Sequence, residues 1–294
     1  MFFSIIIPTY NRSERLANCL NAIALLDYPR DNFEVIVVDD GSKTTLDGVI
    51  APLAKQINIK LLCQENAGPA TARNRGAELA QGRFLVFTDD DCQPARDWLS
   101  RFAAGFQNNP EAMIGGKTIN ALDNNLFSTA SQKLIDYLYE YYNPAQGKNA
   151  FFASNNIAMS AANFKALHGF DVSFPLAAGE DRDFCDRWNL RYPISYLPEA
   201  QVYHYHQLSL TTFWQQHFGY GRGAFYFHQL RAKRVAQDLK VEPLSFYFDL
   251  LSYPFSQTSK QPKILISGLF FISQVANVFG FFWEKINFNS AKSI

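Results

Sequence analysis

The runs "FEVIVVDDGS" and "RFLVFTDDD" are unbroken apolar, β-branched stretches that stop abruptly at consecutive aspartates. Strands of this type read as buried on both faces, which needs a sheet covered on both sides. A third block, "FFSIIIP", opens the chain and is halted by proline. After it, "RSERLANCLNAIALL" sets Leu16, Cys19, Leu20 and Ile23 at helical spacing, and "ATARNRGAELAQG" reads as a helix that stops at Gly82. Strands alternating with helices predict an α/β fold with a mostly parallel, doubly wound sheet, whose ligands bind beyond the carboxyl ends of the strands. The aspartates sit at such ends.

The remaining organisation follows from length and composition. A chain of 294 residues holds one large α/β domain plus appendages. Its 27 basic and 27 acidic side chains argue against a nucleic-acid partner, which calls for a basic excess. With 27 Phe and 14 Tyr, part of the surface is expected to be aromatic and to meet something apolar or sugar-like. Cys19, Cys63, Cys92 and Cys185 are scattered without metal spacing, which fits a reducing compartment and no zinc site. "MFFSIIIPTYNR" has no basic n-region or cleavage site and reads as a first strand, so the amino-terminal domain is expected in the cytosol. Residues 97–150 look mixed, with helices "DWLSRFAAGF" and "QKLIDYLYEYYN"; then come the strand-like "FFASNNIAMS", the acidic "GEDRDF" near a helix start, and "ISYLPEAQVYHYH". Beyond about Leu208 the chain turns aromatic and basic, and residues 264–283 carry no charge over twenty positions. That length just suffices to cross a bilayer, but an interfacial helix or a soluble packing helix fits it too.

Three carboxylate groups follow or end predicted strands: Asp39 and Asp40, Asp89 to Asp91, and Glu180 with Asp181 and Asp183. They are expected to converge on one crevice, where their repulsion needs a cation. Mg²⁺ or Mn²⁺, bound through one or two carboxylates and substrate phosphates, is the obvious candidate. An Asp-x-Asp at a strand end suits it, because residues i and i+2 of an extended chain point the same way.

Through "SIIIPTYNR", "VIVVDDGS", "NAGPATARNRGAELAQG", "FTDDD", "ASNNIAMS", "GFDVSF…GEDRDFCDRW" and "VYHYH", in this order over roughly residues 4–223, the chain resembles the family 2 glycosyltransferases of the GT-A (Rossmann-like) fold. The resemblance implies an inverting, metal-assisted transfer from a UDP- or GDP-sugar. It implies that Pro8, Thr9, Tyr10 and Arg12 line the nucleotide pocket and that Asp40 accepts a hydrogen bond from the base. Arg73 is then a nucleotide or phosphate contact, the plainer reading being a surface helix arginine. Asp91 matches the direct metal ligand and Asp89 a ribose or water-mediated contact, with the acidic Asp90 leaving open which pair acts. Asp181 maps to the general base and Glu180 to its orienting neighbour, while Asp183 is expected to cap the helix or pair with Arg187. Asn155 and Asn156 match positions facing donor sugar or acceptor, with buried strand-edge bonding as the alternative. His204 matches a further metal ligand in some relatives, and "GYGRG" (219–223) a loop that closes over the donor.

These readings divide the chain into a transferase domain over 1–207, with a nucleotide-sugar half (1–110) and an acceptor and catalytic half (111–207), and an amphipathic and apolar helical tail over 208–294. The tail is expected to meet a membrane surface or bilayer on its cytoplasmic face. With a single apolar stretch and no Gln-x-x-Arg-Trp motif, one sugar added to a lipid-linked or cell-envelope glycan acceptor is favoured over polymer extrusion. A nucleotidyltransferase would need a Gly-rich, basic loop after the first strand, which "PTYNRSERL" lacks; a non-catalytic sugar-nucleotide-binding protein is the other alternative.

Overall fold

The computed structural model describes residues 1–143, 151–174, 178–235 and 242–291; residues 144–150 of the mixed stretch and 236–237 of the aromatic one lie outside the described residues. In chain order the elements are β1 (Phe3–Thr9), α1 (Ser13–Ala24), β2 (Phe33–Asp39), α2 (Asp47–Leu53), β3 (Ile59–Cys63), α3 (Pro69–Leu79), β4 (Phe84–Thr88), β5 (Cys92–Pro94), α4 (Trp98–Asn108) and β6 (Met113–Asn120). There follow α5 (Leu126–Tyr142), β7 (Asn156–Ser160), α6 (Ala161–Ala166), α7 (Glu180–Asn189), β8 (Ile194–His204), α8 (Leu210–Val235), α9 (Leu244–Ser256) and α10 (Lys263–Ala291). They form two compact units: Met1–Ile119 with Tyr142–Val172 and Phe184–Tyr205, and Asn120–Tyr141 with Ser173–Asp183 and His206–Ile294.

The first unit is built on an eight-stranded sheet in the order β3-β2-β1-β4-β7-β6-β8-β5. The expected parallel strands are there, with β1 between β2 and β4 and β3 beside β2. The sheet then continues antiparallel through β7 against β4 and β6, and β5 pairs antiparallel with β8. Alternation along the strands sorts the core. Phe3, Ile5, Ile7, Val35, Val37 and Val86 join Leu16, Leu20 and Ile23 of α1 and Trp98, Phe102 and Phe106 of α4 in one cluster. Ile36 and Val38, out of phase, pack with Ala72 of α3 in another. Phe84 and Phe106 stack with ring centroids 4.1 Å apart. Each such side chain, removed from water, contributes about 1.5–3 kcal/mol. The parallel strands end on one side, as the doubly wound pattern requires, and so carry their terminal aspartates there together.

The second unit is helical. Ala130 and Leu134 of α5, Phe213 of α8, Phe246 and Leu250 of α9, and Ile266 and Phe270 of α10 share one core. Polar ties lock it: Tyr137 donates to the carbonyl of Phe246 (2.8 Å) and Tyr253 to Glu140 (2.7 Å). Within α10, residues Lys263–Phe288 are long and apolar enough to cross a membrane, with a mean hydropathy of 1.8, yet only 33% of the most apolar window is buried.

Candidate active site

Strand ends build the site. At the end of β2, Asp39 accepts the Ser42 N–H (3.0 Å). Asp40 accepts from Gln64 Nε2 (2.7 Å), Ala67 N (2.8 Å) and Gly68 N (2.9 Å), which fixes the turn leading into α3. Three of the roughly four acceptor positions of this carboxylate are thereby taken. Asp40 is thus a turn anchor as well as the residue expected to meet the base. Beside it, Pro8 lies on β1 opposite Val38, and Tyr10, just past the strand, is 45% exposed. Asn11 bridges the two loops, receiving a bond from Lys43 N and donating its own N–H to Ser42.

The three aspartates after β4 are matched by three arginines. Arg73 of α3, which is buried rather than a surface helix arginine, bonds Asp89 (2.7 Å). Asp90 accepts from the Thr9 hydroxyl (2.7 Å) and from Arg12 (3.2 Å). Asp91 meets Arg15 at 3.2 Å and Arg12 at 3.6 Å. Like charges about 4 Å apart repel by about 4 kcal/mol at an effective dielectric near 20, so the guanidiniums offset a cost that the sequence had assigned to a metal alone. Burial pushes the Asp90 carboxyl up to about 6, with Asp91 and Asp89 adding to the rise and Thr9 and Arg12 opposing it. Asp89 and Asp91, at i and i+2, flank Asp90.

Strand pairing delivers the histidine. Cys92 of β5 stands opposite His204 of β8, and Tyr205 N bonds the Asp91 carbonyl (2.9 Å). His204 Nε2 thus reaches 3.3 Å from Asp91 Oδ1. Donor atoms of Asp91, Cys92 and His204 all lie within 4.8 Å of one another. Burial raises the Cys92 thiol well above its ordinary value, with the Asp91 and Asp89 charges adding to the rise. The carboxylate oxygen and the imidazole nitrogen are a donor set that fits Mn²⁺.

Two expected positions gain partners, and one expectation is corrected. Asn156 is 1% exposed and its amide is fully engaged: Oδ1 accepts from Trp98 Nε1 (2.9 Å), and Nδ2 donates to the carbonyls of Lys117 (3.1 Å) and Ala200 (3.0 Å). It ties α4 to the sheet, as the strand-edge alternative has it. Asp183 accepts from Arg234 of α8 (2.6 Å), while Arg187 donates to the carbonyls of Leu167 and Gly169. Finally, "GYGRG" is no loop but part of α8. Arg15, one turn beyond Arg12 on α1, was not singled out from sequence, although the i, i+3 spacing of two arginines after a strand was the available signal.

The other acids belong to the second unit. Gly179 has φ +94°, a conformation that suits glycine, and an added Cβ would crowd the carbonyl of Gly223 on α8. Glu180, Asp181 and Asp183 then fill the first turn of α7, where the helix dipole favours negative charge. Asp181 Oδ1 accepts the Arg182 N–H (2.7 Å), and Glu180 is buried. Asp183, wholly buried, accepts from Arg234 at 2.6 Å, while the Arg182 guanidinium lies 4.5 Å from the Phe227 ring centroid. Two residues of α8 therefore grip the acidic turn.

Residues 4–167 match the family model described as Glycosyl transferase family 2. The glycosyltransferase AglE of Haloferax volcanii is 38% identical over 121 residues, which cover 39% of this chain and 38% of that protein. Thus the chain matches well under half the length of this relative. A dolichyl N-acetyl-α-D-glucosaminyl phosphate 3-β-D-2,3-diacetamido-2,3-dideoxy-β-D-glucuronosyltransferase of Methanococcus voltae is 26% identical over 91% of this chain and 82% of its own length. Among solved structures, the mannosyltransferase PcManGT of Pyrobaculum calidifontis, in complex with GDP-Man and Mn²⁺, superposes with a TM-score of 0.64 at 18% identity, over 94% of this chain and 87% of that one. That likeness is one of fold.

Proposed function

Because the chain belongs to glycosyl transferase family 2, we propose that it transfers a sugar, with inversion, from a UDP- or GDP-sugar to a hydroxyl of a lipid-linked or cell-envelope glycan. The observation that carries this reading is the Asp89–Asp91 pair at the end of β4, with His204 brought to 3.3 Å from Asp91 by the β5 and β8 pairing. Asp91 and His204 would hold a divalent ion, Mn²⁺ or Mg²⁺, which supplies charge neutralisation to the departing nucleoside diphosphate. Arg12, Arg15 and Arg73 bring further positive charge to the same aspartates and suit contact with phosphate oxygens. Asp89 takes a ribose hydroxyl, Pro8, Thr9 and Tyr10 border the nucleotide, and Asp40 keeps one acceptor position for the base.

Asp181 is the general base that removes the acceptor hydroxyl proton as the oxygen attacks the anomeric carbon. Its carboxylate starts a helix held by buried neighbours, which suits a group that must keep one orientation. Glu180 orients it. The acceptor class draws support from the dolichyl-linked substrate named for the Methanococcus voltae relative, and the apolar α10 supports attachment to the cytoplasmic face of a membrane.

A hydrolysis screen of nucleotide sugars with Mn²⁺ tests the reading without knowledge of the acceptor. Turnover of a UDP- or GDP-sugar that chelation abolishes is the expected result; no turnover of any such donor would sink it. Turnover unchanged by Asp181→Asn would remove Asp181 as the base.

A further inference from the structure

Beyond Phe270, α10 meets α8 through small residues rather than large ones. On the side of α10 turned to the protein sit Ser273, Ala276, Gly280 and Glu284, all buried. A Cβ at Gly280 would run into the Phe218 carbonyl, and one at Gly221 into that of Asn277, so the two backbones touch through glycines. Glu284 takes Arg222 and the Tyr226 hydroxyl within this seam. The outer side carries large residues along its whole length: Ile264 is 67% exposed, Phe271 60%, Phe279 59%, Phe282 53% and Ile286 65%. From Ile264 to Ile286 the stripe runs ~33 Å at 1.5 Å per residue. Helices that join through small residues and a shielded polar pair, with aromatic and branched side chains outward, are built for surroundings as apolar as their own surface.

We propose that this α10 face, with Trp214 of α8, is a docking surface for an anionic phospholipid bilayer, in which α10 lies along the interface rather than crossing it. Charge selects the occupant: residues 207–294 hold nine Lys and Arg against four Asp and Glu, in a chain whose total is balanced. A second copy of the chain would oppose two cationic tails, whereas an acidic lipid surface complements one. The lying orientation follows because α8 covers one side of α10 along the glycine seam, so lipid reaches only the other side. Trp283 marks the edge, its ring 4.4 Å from the Arg222 guanidinium. This inference rests on the membrane part of the proposed function and not on its catalytic part.

The test uses the full chain with vesicles of phosphatidylcholine alone or with phosphatidylglycerol. Flotation with the anionic vesicles is expected, weaker with the neutral ones, and Phe282→Glu is expected to lower partition by about tenfold or more. Vesicles brominated in the acyl chains should quench the fluorescence of Trp214 and Trp283 but not that of Trp98 and Trp188, which are fully buried. Phe282→Glu should keep the parent's melting temperature and its donor hydrolysis in detergent, which separates loss of docking from loss of fold or of catalysis. Flotation unchanged by Phe282→Glu would overturn the assigned face while leaving membrane attachment intact. No flotation with any vesicle overturns both, and a dimer in vesicle-free buffer that the same variant dissociates would assign the face to a second copy.

Discussion

The two sets of acids in this chain meet their charge in different ways. In the first unit Asp89, Asp90 and Asp91 each face an arginine from α3 or from the start of α1, and His204 closes in on Asp91. In the second unit the acids open a helix, where Asp183 takes a guanidinium partner from α8 at 2.6 Å and Asp181 accepts a bond from its neighbour's backbone. One set is a balanced charge cluster, suited to hold a polyanion and a cation together. The other is a lock beside the carboxylate proposed as base: Asp183 ties the turn on which Asp181 stands to α8.

Substitutions can break this contrast. Asp181→Asn is expected to lower transfer by ~10²–10⁴-fold with donor affinity largely kept, as measured by single-turnover transfer and calorimetric donor binding; an equal loss in both would merge the two sets. Asp183→Ala should leave Arg234 without its buried partner and cost about 3 kcal/mol, at the low end for such a pair because Arg234 is partly solvated. Denaturant unfolding measures it, and a change under 0.5 kcal/mol, the range of ordinary surface substitutions, would remove the lock. Asp91→Ala should weaken Mn²⁺-dependent donor binding by ~10–100-fold, a loss of the size seen when outer metal contacts are removed, without altering metal-free binding; titration with and without chelator separates them.

The smallest effect comes from an acid outside both sets. Glu34, at the start of β2, is buried with Lys60 at 2.7 Å, Ser4 at 2.7 Å and the Gln81 N–H at 2.6 Å. Burial alone would raise its carboxyl, but these bonds hold it below the ordinary value. A carboxylate depressed in the folded state adds stability above its unfolded value, near 4.5, and loses it as pH falls through the folded one. Glu34→Gln should therefore flatten the acid limb of a melting-temperature profile below about pH 5 and leave the neutral range lower but level.

Local pattern revealed the parallel strands and their helices, because apolar runs and helical spacing are properties of neighbouring residues. It also marked the aspartates at the strand ends. What it missed depends on partners far along the chain. Asp183 finds Arg234, 51 positions away. Asn156 looked free for a sugar because nothing near it in sequence announces Trp98 or the carbonyl of Ala200. "GYGRG" suggested a hinge because glycine favours loops, yet in α8 the missing Cβ lets another backbone come close. The antiparallel half of the sheet was equally invisible, since strand direction is set by the pairing and not by the strand.

The pairing of β5 with β8 also acts as a ruler. β5 is three residues long and sets Cys92 against His204, so the imidazole stands beside Asp91 only while the count of residues along β8 is kept. Because side chains alternate across a strand, one residue added to β8 before His204 would turn the ring to the opposite face, whereas two would return it. Spacing along β8 is thus held to parity by a single side chain at its end.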